Sequence, residues 1–272
     1  LHRARAVGAI SRLVDIPLTP SHADASEFEI EIVRTLGGLE ALQPEWNALY
    51  QRLSQKNAFL SYAWTRACLD FQTPAPEPFV LALRRSGKLI GLAPLCIEKR
   101  LGFRVLRFIA DDRSDYLGFV RDPDDQTIAP LLMAALARHA AHWDLMILRR
   151  LAEPFTLLHK IPRPTSSYWH RAEWTTSAFC RCDGDFDALH ASGPSWIREM
   201  PRRRRKFIRD GGAALHFSGA DAVDRLDIVA RVEAASWKGS EGQTRLQPGH
   251  GQDILRRAFV QLSDQIQLWL AF

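Results

Sequence analysis

From residue 27 onward the chain alternates charge and grease: Phe28, Ile30 and Ile32 interleave with Glu27, Glu29 and Glu31, the period-2 pattern of a half-buried strand. After Gly37 and Gly38 the period lengthens, with Leu39, Leu42, Trp46, Leu49 and Leu53 recurring at three- and four-residue steps, which predicts an amphipathic helix. A second helix is predicted over 62–71 behind Ser61, a residue suited to cap it. The two apolar runs flanking Arg85-Ser86-Gly87-Lys88 read as a hairpin, since a glycine at the tip supplies the positive φ that a tight turn needs. Strands are expected at 105–109 and 116–120, separated by the acidic turn Asp111-Asp112-Arg113-Ser114-Asp115. A helix over 127–141 and a strand over 145–148 follow. The order β-α-α-β-β-β-β-α-β implies a layered α/β (α+β) domain, with helices flanking a mixed, mostly antiparallel sheet.

Past Pro154 a proline-punctuated connector leads to a strand-like run at 175–182, and then the pattern starts again. Leu226, Val229, Val232 and Trp237 outline one helix; Ile254, Leu255, Ala258, Phe259 and Leu262 outline another; residues 266–272 are apolar and β-prone. This helix-helix-strand order repeats residues 39–83 at the level of pattern. The expected organisation is an arm over 1–26, a first unit over 27–178 and a second over 179–272. In the first unit the strand turns back into a hairpin, so a hairpin partner is expected beyond Phe272 in the second. The chain also begins with Leu, and it is expected to be a fragment whose second unit is truncated.

Charge narrows the search for chemistry. The 272 residues hold 36 Lys and Arg against 31 Asp and Glu, a net +5. Seven of those cations (Arg198, Arg202, Arg203, Arg204, Arg205, Lys206, Arg209) and two of the anions (Glu199, Asp210) lie within 198–210, leaving 29 of each sign elsewhere. The excess is therefore one segment, and an anionic partner is expected there. On a helical wheel Trp196, Ile197, Met200, Phe207 and Ile208 form an apolar stripe that includes Arg204, with Arg198, Arg202, Arg205 and Arg209 opposite. Pro201 should kink or restart this helix. The basic face is either solvated or a contact for phosphate or an RNA backbone.

Other chemistries find little support. Cys68, Cys96, Cys180 and Cys182 are too few and scattered for a disulfide framework, which points to a reducing, cytoplasmic setting. No segment is apolar for the length of a membrane span and no secretory leader is recognisable. His139 and His142 share a helix face without a nearby Cys or Glu, and read as surface histidines rather than metal ligands. No nucleophile elbow or phosphate-binding P-loop occurs.

The segments PFVLALRRSGKLIGLAPL, VLRFIADDRSDYLGFV, RRRRKFIRDGG and VEAASWKGSEG, in that order, resemble the CelD-like, cellulose-biosynthesis-associated branch of the GNAT acyltransferase superfamily. That branch is similar to Fem-type peptidyltransferases in having two tandem GNAT units, and the resemblance runs from about Phe28 to the end of the chain. It implies N-acyl transfer from an acyl-coenzyme A such as acetyl-CoA, or from aminoacyl-tRNA as in the Fem-like relatives, to a small-molecule or saccharide amine, in exopolysaccharide or cell-envelope biosynthesis and without a metal.

Family members that bind coenzyme A hold its pyrophosphate on a Gly-rich loop leaving a strand and opening a helix. In this sequence Arg209-Asp210-Gly211-Gly212-Ala213-Ala214 fits the letters but follows a helix and enters a strand. The first unit's equivalent, 121–126, carries carboxylates that would repel the anion. The first unit is thus expected to be a non-binding copy, and the cofactor-binding loop is expected beyond Phe272, which would leave these 272 residues inactive alone. Asp115 and Tyr116 are the candidate catalytic pair, a base and an orienting hydroxyl, unless they are an exposed turn Asp and a strand Tyr. Arg202, Arg205, Lys206, Trp237 and Lys238 are the candidate substrate-binding residues. Trp237 is otherwise a core residue, with Lys238 and a terminating Gly239 closing its helix. The alternative function is a non-catalytic module that binds nucleic acid or a polysaccharide-synthesis partner through 198–210.

Overall fold

A computed structural model describes residues 28–54, 56–122, 124–151, 186–193, 195–242, 244, 246 and 250–272. The expected arm at 1–26 and the expected strand at 175–182 lie outside these residues. The described chain falls into two compact units, one formed by residues 28–60 and 76–151, the other by 61–75 and 186–272.

In the first unit β1 (Phe28–Val33) leads into α1 (Leu36–Arg52), which starts earlier than the apolar spacing implies because the Thr35 side chain accepts from the Gly38 N–H and caps it. β2 (Glu77–Arg85), β3 (Lys88–Arg100) and β4 (Phe103–Phe108) then form an antiparallel meander. Its first hairpin turns through Ser86 and Gly87 at φ 50° and 75°, as the Ser-Gly signal predicts. The strand expected over 116–120 shrinks to β5 (Val120–Arg121), which pairs with β3 at Gly91 and Leu92. The reason is a competing partner, since the Leu117 N–H donates to the Arg150 carbonyl at 2.8 Å and bridges in parallel to the chain beyond the last strand. α3 (Ile128–Arg138) crosses back to β6 (Leu145–Ile147), which lies parallel to β4. The sheet runs β1-β2-β3-β4-β6 and is mixed but mostly antiparallel, with α1 and α3 packed on it.

The core is built where sequence periodicity fades into continuous apolar runs. Phe79 to Leu83 and Leu92 to Ile97 are buried almost without interruption, so both faces of the central strands are covered. Trp46 of α1 is fully buried and its indole N–H donates to the Leu60 carbonyl at 3.0 Å. Gly91 marks the closest approach of α3, because a Cβ there would stand 2.4 Å from Ile128 Cγ2.

The second unit contains α2 (Tyr62–Asp70), capped by Ser61 as expected, with α4 (Phe186–Ser192), α5 (Ser195–Arg209), β7 (Ala214–Ser218), α6 (Ala220–Val223), α7 (Leu226–Ala234), α8 (Trp237–Ser240), α9 (His250–Gln261) and β8 (Gln267–Ala271). α2 and α9 pack together and are tied by Arg257 to Asp70 at 2.7 Å. β7 and β8 pair antiparallel, with His216 stacked on Trp269 at 4.2 Å across the ladder. The sequence-derived helix ending at Gly239 is in fact two. The chain turns extended at Ser236, whose hydroxyl caps α8 by accepting from the Lys238 N–H. Gly239 is not the left-handed terminator expected; a Cβ there would stand 1.8 Å from the Ala234 carbonyl oxygen, so only glycine fits that approach.

Candidate functional site

The chemistry-bearing residues of the first unit cluster where β4 leaves the sheet. Asp111 is buried and its carboxylate accepts from Arg149 Nε at 2.8 Å; Arg149 also reaches Asp112 at 3.1 Å, and Arg150 reaches Asp115 at 3.4 Å. The Ser114 hydroxyl donates to the Ala110 carbonyl at 2.8 Å and closes the turn. The acidic turn and the Arg-Arg pair after β6 thus fasten two parallel neighbours together, at a sequence separation of 35 to 38 residues. The sequence reading missed these arginines, although a doublet of cations closing a strand opposite the run DDRSD was the available signal.

Asp115 and Tyr116 follow directly. Both side chains are exposed, Tyr116 to 44%, while Leu117 and Phe119 turn inward and are buried. Tyr116 lies outside any strand, and its carbonyl accepts from the Asn57 amide at 3.0 Å. The pair is therefore held by its backbone and by Arg150, with the phenol free to meet a ligand.

The loop that opens α3 is lined by carboxylates. Asp125 Oδ1 accepts from both the N–H and the hydroxyl of Thr127, so a carboxylate already occupies the helix N-terminus. Although burial opposes ionisation there, the two Thr127 hydrogen bonds and the Arg85 and Arg121 charges hold the Asp125 carboxyl below its usual range. Arg121 is buried, and desolvation lowers its pKa; its guanidinium donates to the Asp122 and Asp125 carbonyls at 2.8 and 3.1 Å.

In the second unit the candidate ligands sit on α5 and α8. α5 is one helix through Pro201, so of the expected kink or restart the restart does not occur, and it ends in a Schellman turn. Gly211, at φ 88°, donates to the Ile208 carbonyl and Gly212 donates to the Phe207 carbonyl. The Arg209–Ala214 letters therefore form a carbonyl-rich helix end, unsuited to a pyrophosphate, in agreement with the reading of their context.

Arg202, Arg205 and Lys206 are exposed, and among the described residues no carboxylate pairs with them or with Arg198 and Arg204. Arg203 pairs with Glu199 at 3.0 Å. Arg204, inside the apolar stripe, is exposed. Of the stripe it belongs to, only Ile197 is buried, while Trp196, Met200 and Ile208 are 53%, 44% and 56% exposed. Trp237 is 61% exposed at the start of α8 rather than in the core, and Lys238 stands 3.9 Å from Glu233. Asp115 and Tyr116 thus belong to one compact unit and the five candidate substrate-binding residues to the other.

Among the described residues no group of His, Cys, Asp or Glu is placed to hold a metal ion, and no helix is long and apolar enough to cross a membrane. His142 Nδ1 lies 3.3 Å from Arg34.

The sequence matches no protein-family model and no curated protein. Three solved structures are similar in part: a GNAT family acetyltransferase from Staphylococcus aureus, at 15% identity over 56% of this chain and 99% of that one with a TM-score of 0.33; a ribosomal-protein-alanine N-acetyltransferase from Brucella melitensis, at 16% over 57% and 99% with a TM-score of 0.34; and an aminoglycoside acetyltransferase from an uncultured soil metagenomic sample, in complex with sisomicin, at 12% over 57% and 99% with a TM-score of 0.33. At these scores the functional reading rests on the chain's own topology and residues.

Proposed function

We propose that this protein is a GNAT-type N-acyltransferase that moves an acyl group from acyl-coenzyme A to an amine. The observation that carries the reading is a repeated order along the chain: β1 and β2 form an antiparallel pair separated in sequence by α1 and by α2, which itself belongs to the second compact unit, and β7 and β8 form one separated by α6 to α9. This supports the tandem units implied by the motif resemblance. The first unit is then a copy that does not bind the donor, since the Asp125 carboxylate sits on the Thr127 N–H and hydroxyl just ahead of α3, where a pyrophosphate would have to lie. The reaction belongs to the cytoplasm, with exopolysaccharide or envelope synthesis as its setting.

In this scheme the neutral amine attacks the thioester carbonyl, a new C–N bond forms, and the C–S bond breaks to release the coenzyme A thiolate, while the amine proton passes to a base and from there to the departing sulfur. Backbone N–H donors stabilise the developing oxyanion. No covalent enzyme intermediate is required, because attack on a positioned thioester is already effectively intramolecular. Asp115, oriented by Arg150, is the proposed base and Tyr116 the proposed orienting hydroxyl. Arg202, Arg205, Lys206, Trp237 and Lys238 are the proposed contacts to the acceptor or its phosphate groups.

The test is to incubate the whole protein with acetyl-CoA and a panel of small and saccharide amines, and to follow thiol release and amide formation. The proposal expects acyl transfer, with Asp115→Asn lowering kcat by roughly 10²–10⁴ while leaving the melting temperature in place. Retention of RNA with no binding of any acyl-coenzyme A would replace this reading with the non-catalytic module.

A further inference from the structure

α5 carries two unusual features on one helix. Around the wheel from Trp196 through Phe207, Met200, Arg204, Ile197 and Ile208 runs an apolar arc. Most of it is open to solvent, since only Ile197 is buried. Beside that arc lie Arg198, Arg202, Arg205 and Lys206, none of them neutralised by a carboxylate among the described residues. A phosphate or nucleic-acid contact accounts for the cations alone. It leaves unexplained why a Trp, a Met and an Ile stay about half exposed on the same 15-residue helix.

We infer that α5 is an interfacial helix that docks the protein on an anionic bilayer surface. A 15-residue helix is about 22 Å long. Lying flat, it can place Trp196, Met200 and Ile208 among the acyl-chain boundary while Arg202, Arg205 and Lys206 reach anionic headgroups. Arg204, alone within the apolar arc, has the reach to extend its guanidinium from that arc to the headgroup level. The Trp ring suits the polar-apolar boundary, with its N–H available to the interface. Charge complementarity selects the occupant, because the rest of the chain holds 29 cations against 29 anions and only this segment carries the net charge. The inference gives Arg202, Arg205 and Lys206 a different partner from the acceptor proposed above, and vesicle binding is read without acyl transfer, so the failure of one reading is distinguishable from the failure of the other.

The experiment is co-sedimentation of the whole protein with sucrose-loaded vesicles of phosphatidylcholine, with and without 30% phosphatidylglycerol, in 0.1 M salt. Binding is expected on the anionic vesicles only, weakening as salt rises. The triple variant Arg202→Gln, Arg205→Gln, Lys206→Gln should lose about five-fold per cation, on the order of a hundred-fold in all. The pair Trp196→Ser, Ile208→Ser should lose roughly ten-fold or more while keeping the wild-type melting temperature, since both residues are exposed. A single-stranded RNA of about 20 nucleotides serves as the competing polyanion. Absence of binding to anionic vesicles overturns the inference. So does wild-type vesicle binding by the Trp196/Ile208 variant, which would reduce the helix to a patch of charge. RNA affinity above vesicle affinity, unchanged in that variant, would assign the face to nucleic acid.

Discussion

Gly91→Ala isolates the contact that seats α3 on the sheet. The added Cβ would stand 2.4 Å from Ile128 Cγ2, with Leu132 Cδ1 at 3.6 Å and Leu83 Cβ at 3.8 Å. Carbon atoms settle at about 3.5–4.0 Å, so either Ile128 or the β3 backbone must move by roughly an ångström. Neither has room. Ile128 is 2% exposed and β-branched, and Gly91 is paired with both Leu83 and Arg121. Overpacking of this kind costs about 1–3 kcal/mol, which for a unit of this size lowers the melting temperature by roughly 4–12 °C. A double-mutant cycle locates the effect. Ile128→Ala alone should cost about 2–5 kcal/mol through the cavity it leaves, whereas in the Gly91→Ala background the new methyl fills part of that cavity. The two changes should then couple by about 1–3 kcal/mol in the stabilising direction. Thermal melts of the four proteins provide the test; a two-unit chain can unfold in two steps, and only the step carrying the first unit should move. Gly91→Ala melting like the wild type, or strict additivity in the cycle, would refute the packing of α3 against β3.

Asp144 should stay ionised in acid. The Arg104 side chain and then the Arg104 backbone N–H donate to its carboxylate and hold its pKa at about 2, against an ordinary value near 3.8. Because the folded value is the lower one, this clasp stabilises the fold above pH 3.8 and is lost as pH falls toward 2. Carboxyl NMR titration should show that midpoint, with Arg104→Gln returning it toward the ordinary range. Cys96 should resist alkylation at pH 8 in the native protein, since burial pushes its thiol up to about 12; peptide mapping after iodoacetamide should find it labelled only once the chain is unfolded.

Local pattern carried most of the first unit. Alternation placed β1, three- and four-residue spacing placed α1, and Ser86-Gly87 fixed the first hairpin, because each signal is written within a few residues of the element it forms. What failed depended on distant partners. The 116–120 segment has strand composition, yet the Arg150 carbonyl claims Leu117 and leaves only Val120 and Arg121 for β3. Arg149 and Arg150 bind the acidic turn across more than thirty residues, which no local period reveals. The α5 wheel gave the correct apolar arc. It could not say whether that arc is covered, because amphipathicity shows which residues share a face and not what lies against it. Trp237 was misplaced for a different reason, since a single extended residue, Ser236, ended one helix and capped the next.

The central claim is that the repeated framework serves acyl transfer from coenzyme A to an amine. Its most direct test is mass spectrometry of the whole protein's products with acetyl-CoA and an amine panel, in parallel with calorimetric titration of acetyl-CoA. The account expects stoichiometric amide and free thiol, donor affinity unchanged in Asp125→Ala because the first unit does not hold the donor, and turnover reduced in Asp115→Asn. The absence of both acetyl-CoA binding and amide across the panel would contradict it.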